Sequence, residues 1–225
     1  MLMKMNENKE IRHSEDYKKW IKEGNHHLKQ KEYVAALICY DNAIETLFRG
    51  IENHRFSKGL ELYAEDSRIW DNRGVALSAL GRFDEALQSF DVALELDPLN
   101  SRAWSNMGVS MASIKRFDEA INCFNKGLEI EPENVDTLDN KGTALFSLSK
   151  YDEALESFNQ ALKLNPEDAK AWAGKGSVLR FMNRYKEAIE SLEKFIKLAP
   201  PELAAQNQEA WAMILELKLL LEKEE

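Results

Sequence analysis

Three asparagines, Asn72, Asn106 and Asn140, stand 34 residues apart. A carboxamide is both donor and acceptor, so a row of them can pair with the backbone of an extended peptide without reading its side chains. Arg68, Arg102 and Lys170 share a second register at the same interval or a multiple of it, and Asn25 lies upstream. An arginine adds a planar fork suited to a carboxylate. This is the chemistry of recognition rather than of bond-making. No Ser-His-Asp order, glycine-rich phosphate loop or paired metal ligands accompany it, so the chain reads as a non-enzyme that needs no cofactor. Cys39 and Cys123 are far apart in sequence and read as buried, reduced thiols. His13, His26, His27 and His54 fall outside metal-ligand spacings, and no metal is expected.

Bulk properties narrow the partner class. A net charge of −9 argues against a nucleic-acid partner, because phosphate binding needs a positive surface. The first residues lack the apolar core of a secretory signal. No uncharged apolar run reaches the roughly 18 residues of a membrane span. The expectation is a cytoplasmic protein with a protein or peptide partner.

The elements that must carry these side chains follow from the same period. Trp70, Trp104, Leu138 and Trp172 recur every 34 residues, as do Gly74, Gly108, Gly142 and Gly176, and Ala86, Ala120, Ala154 and Ala188. Phe90, Phe124, Phe158 and Leu192 keep step, and Pro98, Pro132, Pro166 and Pro200 close each unit. Within a unit, one stretch of helical spacing such as Trp70–Leu80 is followed by a short polar turn and a second stretch, Glu85–Leu96. Asp84, Asp118 and Asp152 are placed to complement the dipole and cap the start of the second helix. Proline stops it. Asp66, Asn100, Asn134 and Asp168 are suited to cap the next first helix. Each unit is thus a helical hairpin, and a single hairpin buries too little to fold alone, so neighbours must stack.

A 34-residue unit with Trp, Gly, Ala, Phe and Pro in this order resembles the tetratricopeptide repeat family. The matching copies are 67–100, 101–134, 135–168 and 169–202, preceded by a divergent copy marked by Trp20, Gly24, Ala36 and Tyr40. The resemblance implies an all-α, right-handed α-solenoid of antiparallel helix hairpins over residues 17–202, behind a polar tail at 1–16 and ahead of a capping helix at 203–225. It also implies a protein-interaction scaffold that holds an extended peptide or helix in a concave groove. The groove face would carry Asn25, Arg68, Asn72, Arg102, Asn106, Asn140 and Lys170. The family's carboxylate clamp for heat-shock protein termini is matched only in part: Ile21 and Asn106 stand where cations are expected.

Two features depart from the period. Trp20 and Trp70 are 50 residues apart, which places 16 extra residues between about 42 and 55 of the first copy. After Pro200 and Pro201, Gln208–Glu225 reads as one more helix, apolar nearly all round. That surface raises the alternative of a structural homo-oligomeric assembler that uses the Leu-rich C-terminal helix or the convex face, as in a homodimer through that helix.

Overall fold

The computed structural model describes the backbone of residues 17–52 and 59–224, and the side chains of 17–48, 67–201 and 203–223. The tail at 1–16 and the 53–55 end of the expected insertion lie outside the described residues. All described regular structure is helical: α1 (17–29), α2 (Tyr33–Glu52), α3 (Gly59–Ala79), α4 (Phe83–Leu96), α5 (Ser101–Ser113), α6 (Phe117–Ile130), α7 (Val135–Ser147), α8 (Tyr151–Leu164), α9 (Ala169–Phe181), α10 (Tyr185–Leu198) and α11 (Ala204–Glu224), with a 3-10 turn at Pro201–Leu203 before the last. The chain forms two compact units, residues 1–114 and 115–225. In the first, α3 packs on α2, α4 and α5; in the second, α6 to α11 pack each on the next, and α7 also meets α9.

The hairpin turn repeats with one backbone conformation. Lys31, Gly81, Lys115, Ser149 and Asn183 all have φ between +58° and +75°. This left-handed residue lets the amide of the next residue reach back five residues, as in Arg82 N–H to Leu77 O, Lys150 to Leu145 and Arg184 to Leu179. Only Gly81 adopts that conformation without a Cβ penalty.

Helix starts differ between the two halves of a hairpin. Asn100 and Asn134 accept the amides of Ala103 and Thr137, and Asp168 accepts those of Lys170 and Ala171, so the first helices are capped as expected. The second helices have Arg82, Arg116, Lys150 and Arg184 at the cap with no side-chain bond, and Asp84, Asp118 and Asp152 act only as first-turn acids. There the arginines turn forward, as Arg82 grips Glu85 and Arg184 grips Glu187 through both carboxylate oxygens. Replacing Asn134 by Ala should cost about 1 kcal/mol in urea unfolding, because one first-turn amide loses its acceptor.

Close packing explains the small residues. A Cβ at Gly74 would stand 2.5 Å from the Phe90 ring, and one at Gly142 2.9 Å from Phe158, and both rings are buried. The tryptophans are half-buried instead, and hold the proline turns: the indole N–H of Trp104 donates to Pro98 O at 3.0 Å, and that of Trp172 to Pro166 O at 2.9 Å.

The first hairpin departs from its neighbours in helix length. Helix α2 has 20 residues where α4, α6, α8 and α10 have 14, and α3 has 21 where α5, α7 and α9 have 13. Most of the extra length is therefore helical and is shared by both elements. Asp66, expected as a cap, lies inside α3. The cause is visible in the chain: Ala64 stands in the register of Pro98, Pro132 and Pro166, so nothing stops the helix there.

At the other end, α11 packs on α10 and buries Ala210, Ile214 and Leu217 against Leu192 and Phe195. Among the described residues no helix is long and apolar enough to cross a membrane.

Candidate functional site

Helices α1, α3 and α5 each present one polar face, and in the first unit these faces meet. Residues 72 and 25 come together because α1 and α3 lie side by side one repeat apart, which brings the Asn72 side-chain amide within 2.8 Å of Asn25 Oδ1. The same Asn25 oxygen accepts the Tyr40 hydroxyl at 2.8 Å. From α5, Arg102 spans two residues of α3: its Nη2 donates to Asn72 Oδ1 at 2.8 Å, and its Nε donates to Asp71 Oδ2 at 2.6 Å. One turn further along α5, Asn106 donates to the other Asp71 oxygen at 2.8 Å. The result is a continuous chain of bonds from Tyr40 through Asn25, Asn72, Arg102 and Asp71 to Asn106.

Asp71 is the centre of this arrangement. Its side chain is fully buried, while the arginine that reaches it is 54% exposed. Burial raises its carboxyl above the ordinary range, and the Arg102 charge and the bonds from Asn106 and Arg102 work to lower it again. Such a pair sets the geometry of two helices more than it adds net stability, because desolvation offsets much of the attraction. Burial likewise pushes the Tyr40 hydroxyl well above its usual value, so it stays a donor.

The asparagines are thus not an idle ladder. Asn72 uses its amide on Asn25 and its carbonyl on Arg102, and the Asn106 amide is held by Asp71. What faces outward is a cavity of ≈ 640 Å³ lined by Lys18, Ile21, Asn25, Leu28, Lys29, Arg68, Ile69, Asn72 and Arg102. Its described lining holds four cations and no carboxylate, on a chain of net charge −9. Ile21, Leu28 and Ile69 add apolar surface to it. Lys18 and Lys29, both exposed, are absent from the set of groove residues read from the sequence. They belong to the first helix, where the repeat pattern is faintest.

Asn140 and Lys170, the remaining residues of that set, lie in the second unit on α7 and α9. Asn140 is half-buried and Lys170 exposed, and no hydrogen bond joins them. Beside them sits a residue the sequence reading passed over. Asp139 is in step with Asp71, two periods on, and is 6% exposed. Neither of its oxygens has a hydrogen-bond partner. Burial, then the charges of Asp168 and Asp136, raise its carboxyl to about 7, with Lys170 pulling the other way. Cys39 and Cys123 are both buried and unbridged. No group of three or more His, Cys, Asp or Glu among the described residues is arranged to hold a metal ion.

Comparison with known proteins places this architecture. The crystal structure of MamA covers 86% of the chain and 96% of its own at a TM-score of 0.64 and 16% identity. That of YrrB, described as a TPR protein with an unusual peptide-binding site, covers 92% and 96% at 0.63 and 21%. A tetratricopeptide repeat protein from Parabacteroides merdae ATCC 43184 covers 93% of the chain and 75% of its own at 0.69 and 19%. At these identities the likeness concerns the fold. No curated protein sequence matches the chain. Models of the tetratricopeptide repeat match residues 67–100, 99–167 and 140–210. With helix hairpins in the same register as those matches, the chain belongs to the tetratricopeptide repeat family, a family of protein-interaction scaffolds.

Proposed function

We propose that this protein is a non-catalytic scaffold that holds an extended, acidic segment of another polypeptide on the α1–α3–α5 face of its first unit. The observation that carries this reading is the charge of the cavity: among its described lining residues Lys18, Lys29, Arg68 and Arg102 are cations and none is an acid, and only the buried Asp71 behind the face meets Arg102. Cations gathered on a net-acidic chain attract carboxylates locally, and the neighbouring half-buried Ile21 and Leu28 give apolar contact to a guest's side chains. The internal bonds of Asn25, Asn72 and Arg102 hold the face rigid, which lowers the ordering cost when a flexible segment docks.

Peptides selected from a displayed random library test the reading. Enriched sequences are expected to contain Asp or Glu and to bind more weakly as salt rises. The double variant Lys18→Glu, Lys29→Glu should lose at least about tenfold in affinity, roughly 1.4 kcal/mol, while keeping the parent's circular dichroism and melting behaviour. Enriched peptides without acids, or affinity indifferent to both reversals, would refute it.

A second reading has its own observation. Trp211, Leu215 and Leu219 recur every four residues on α11 and are 56%, 63% and 51% exposed, on a different stripe from the buried Ala210, Ile214 and Leu217. A second copy of the chain, joined through this stripe, would cover it. Sedimentation of the parent and of Trp211→Asp, Leu215→Lys decides: a dimer lost in the variant supports this assembly, and a monomeric parent at high concentration removes it.

A further inference from the structure

The chain contains the same buried acid twice, once satisfied and once not. In the first unit, Asp71 is met from the next repeat by Arg102, 31 residues on, and by Asn106, 35 residues on. The same offsets from Asp139 lead to Lys170 and Gly174. Lys170 makes no bond to Asp139, and Gly174 has no side chain to offer. A donor cannot simply be added at 174, because a Cβ there would stand 2.4 Å from the buried Phe158 ring. Two of the bonds that hold Asp71 are thus missing at Asp139, and the carboxylate is left 6% exposed without a partner.

An unpartnered buried carboxylate costs free energy that a packed amide or aliphatic residue would not. Its surroundings add to the cost, since Asp136 and Asp168 lie close enough to repel it. The group that relieves such a site is shown within the molecule itself. At Asp71 it is a guanidinium, carried by a side chain that is itself 54% exposed, so in this register a cation based at the surface meets a carboxylate shielded from water.

We propose that Asp139 is a docking point for an arginine side chain of a bound polypeptide, which supplies in trans the guanidinium that Arg102 supplies to Asp71 in cis. The site recognises a planar cation rather than an acid, so it is chemically distinct from the cavity of the first unit. It rests on the reading of the protein as a polypeptide-binding scaffold, but it stands on different residues. Asn140, adjacent on α7, is available beside it to bond the guest's backbone. An arginine fork can meet both Asp139 oxygens, which the lone ammonium of Lys170 does not.

The test uses the full chain and two small probes, acetyl-arginine amide and acetyl-citrulline amide, which share shape but differ in charge. NMR titration should show saturable shifts centred on Asp139 and Asn140 for the arginine probe, and affinity at least about tenfold weaker for citrulline. Asp139→Asn, which keeps the side-chain volume, should reduce arginine affinity at least tenfold while the variant remains folded. Equal binding of the two probes, or arginine binding unchanged in Asp139→Asn, would overturn the proposal. Because single amino acids are used and the first-unit lysines are untouched, failure here leaves the acidic-peptide reading standing. Failure of the Lys18 and Lys29 reversals would in turn leave this one.

Discussion

Replacing Arg102 with Ala is expected to destabilise the protein by about 3 kcal/mol in urea unfolding at neutral pH. The substitution removes the guanidinium from a fully buried Asp71 and leaves that carboxylate with the Asn106 amide alone. It also frees the Asn72 carbonyl on the same face. The sign of the pH dependence follows from the charges. Arg102 lowers the Asp71 carboxyl against the upward pull of burial, so without the arginine the folded-state value rises further above the unfolded one. A carboxyl raised in this way penalises the fold increasingly as pH rises from the ordinary carboxylate range. The loss in Arg102→Ala should therefore be larger at pH 7 than at pH 4, where Asp71 carries more protons. Adding Asp71→Asn to Arg102→Ala should recover more than half of the loss, because a neutral amide needs no counter-charge. Arg102→Lys should recover less, since one ammonium cannot replace two nitrogens directed at Asp71 and Asn72.

The second large effect has the opposite direction. Asp139→Asn should stabilise the protein at pH 8 by about 2 kcal/mol and leave it nearly unchanged at pH 4. The Asp139 carboxyl is raised to about 7. An unfolded chain ionises near about 3.9. Between those values the unfolded state gives up its proton while the native state keeps it, so stability falls as pH rises and levels off above 7. A full shift of that size corresponds to about 4 kcal/mol. Side-chain rearrangement and water entry reduce it, hence the smaller figure. Thermal unfolding of parent and variant across this range checks the prediction, and a constant difference at all pH values would show that Asp139 does not titrate with folding. A residue whose replacement stabilises the fold fits a site that trades stability for binding.

The hairpins were readable because their signals are local. Gly74 and Phe90, Asn100 and Pro98 act within or next to their own helices, and a 34-residue period multiplies each signal. The start of α3 departs from the repeat for an equally local reason: Asp66 resembles a cap, but Ala64 in the proline register lets the helix run through it. The site was legible only in outline. Helical spacing put Asn25, Asn72, Arg102 and Asn106 on one face, and the structure does bring them together. What they bond to depends on the neighbouring repeat, and Asp71 gave no sign of this because it sits beside the core position Trp70 rather than among the polar positions. The difference between Asp71 and Asp139 is similarly non-local, since it turns on a residue 35 positions away that is Asn in one case and Gly in the other.

The most direct test of the scaffold account is an NMR map of the protein as a library-selected acidic peptide is added. The account predicts that the resonances that move belong to Lys18, Ile21, Asn25, Leu28, Lys29 and Asn72 in the first unit. Shifts confined to Trp211, Leu215 and Leu219 on α11, with the α1–α3–α5 face silent, would contradict it.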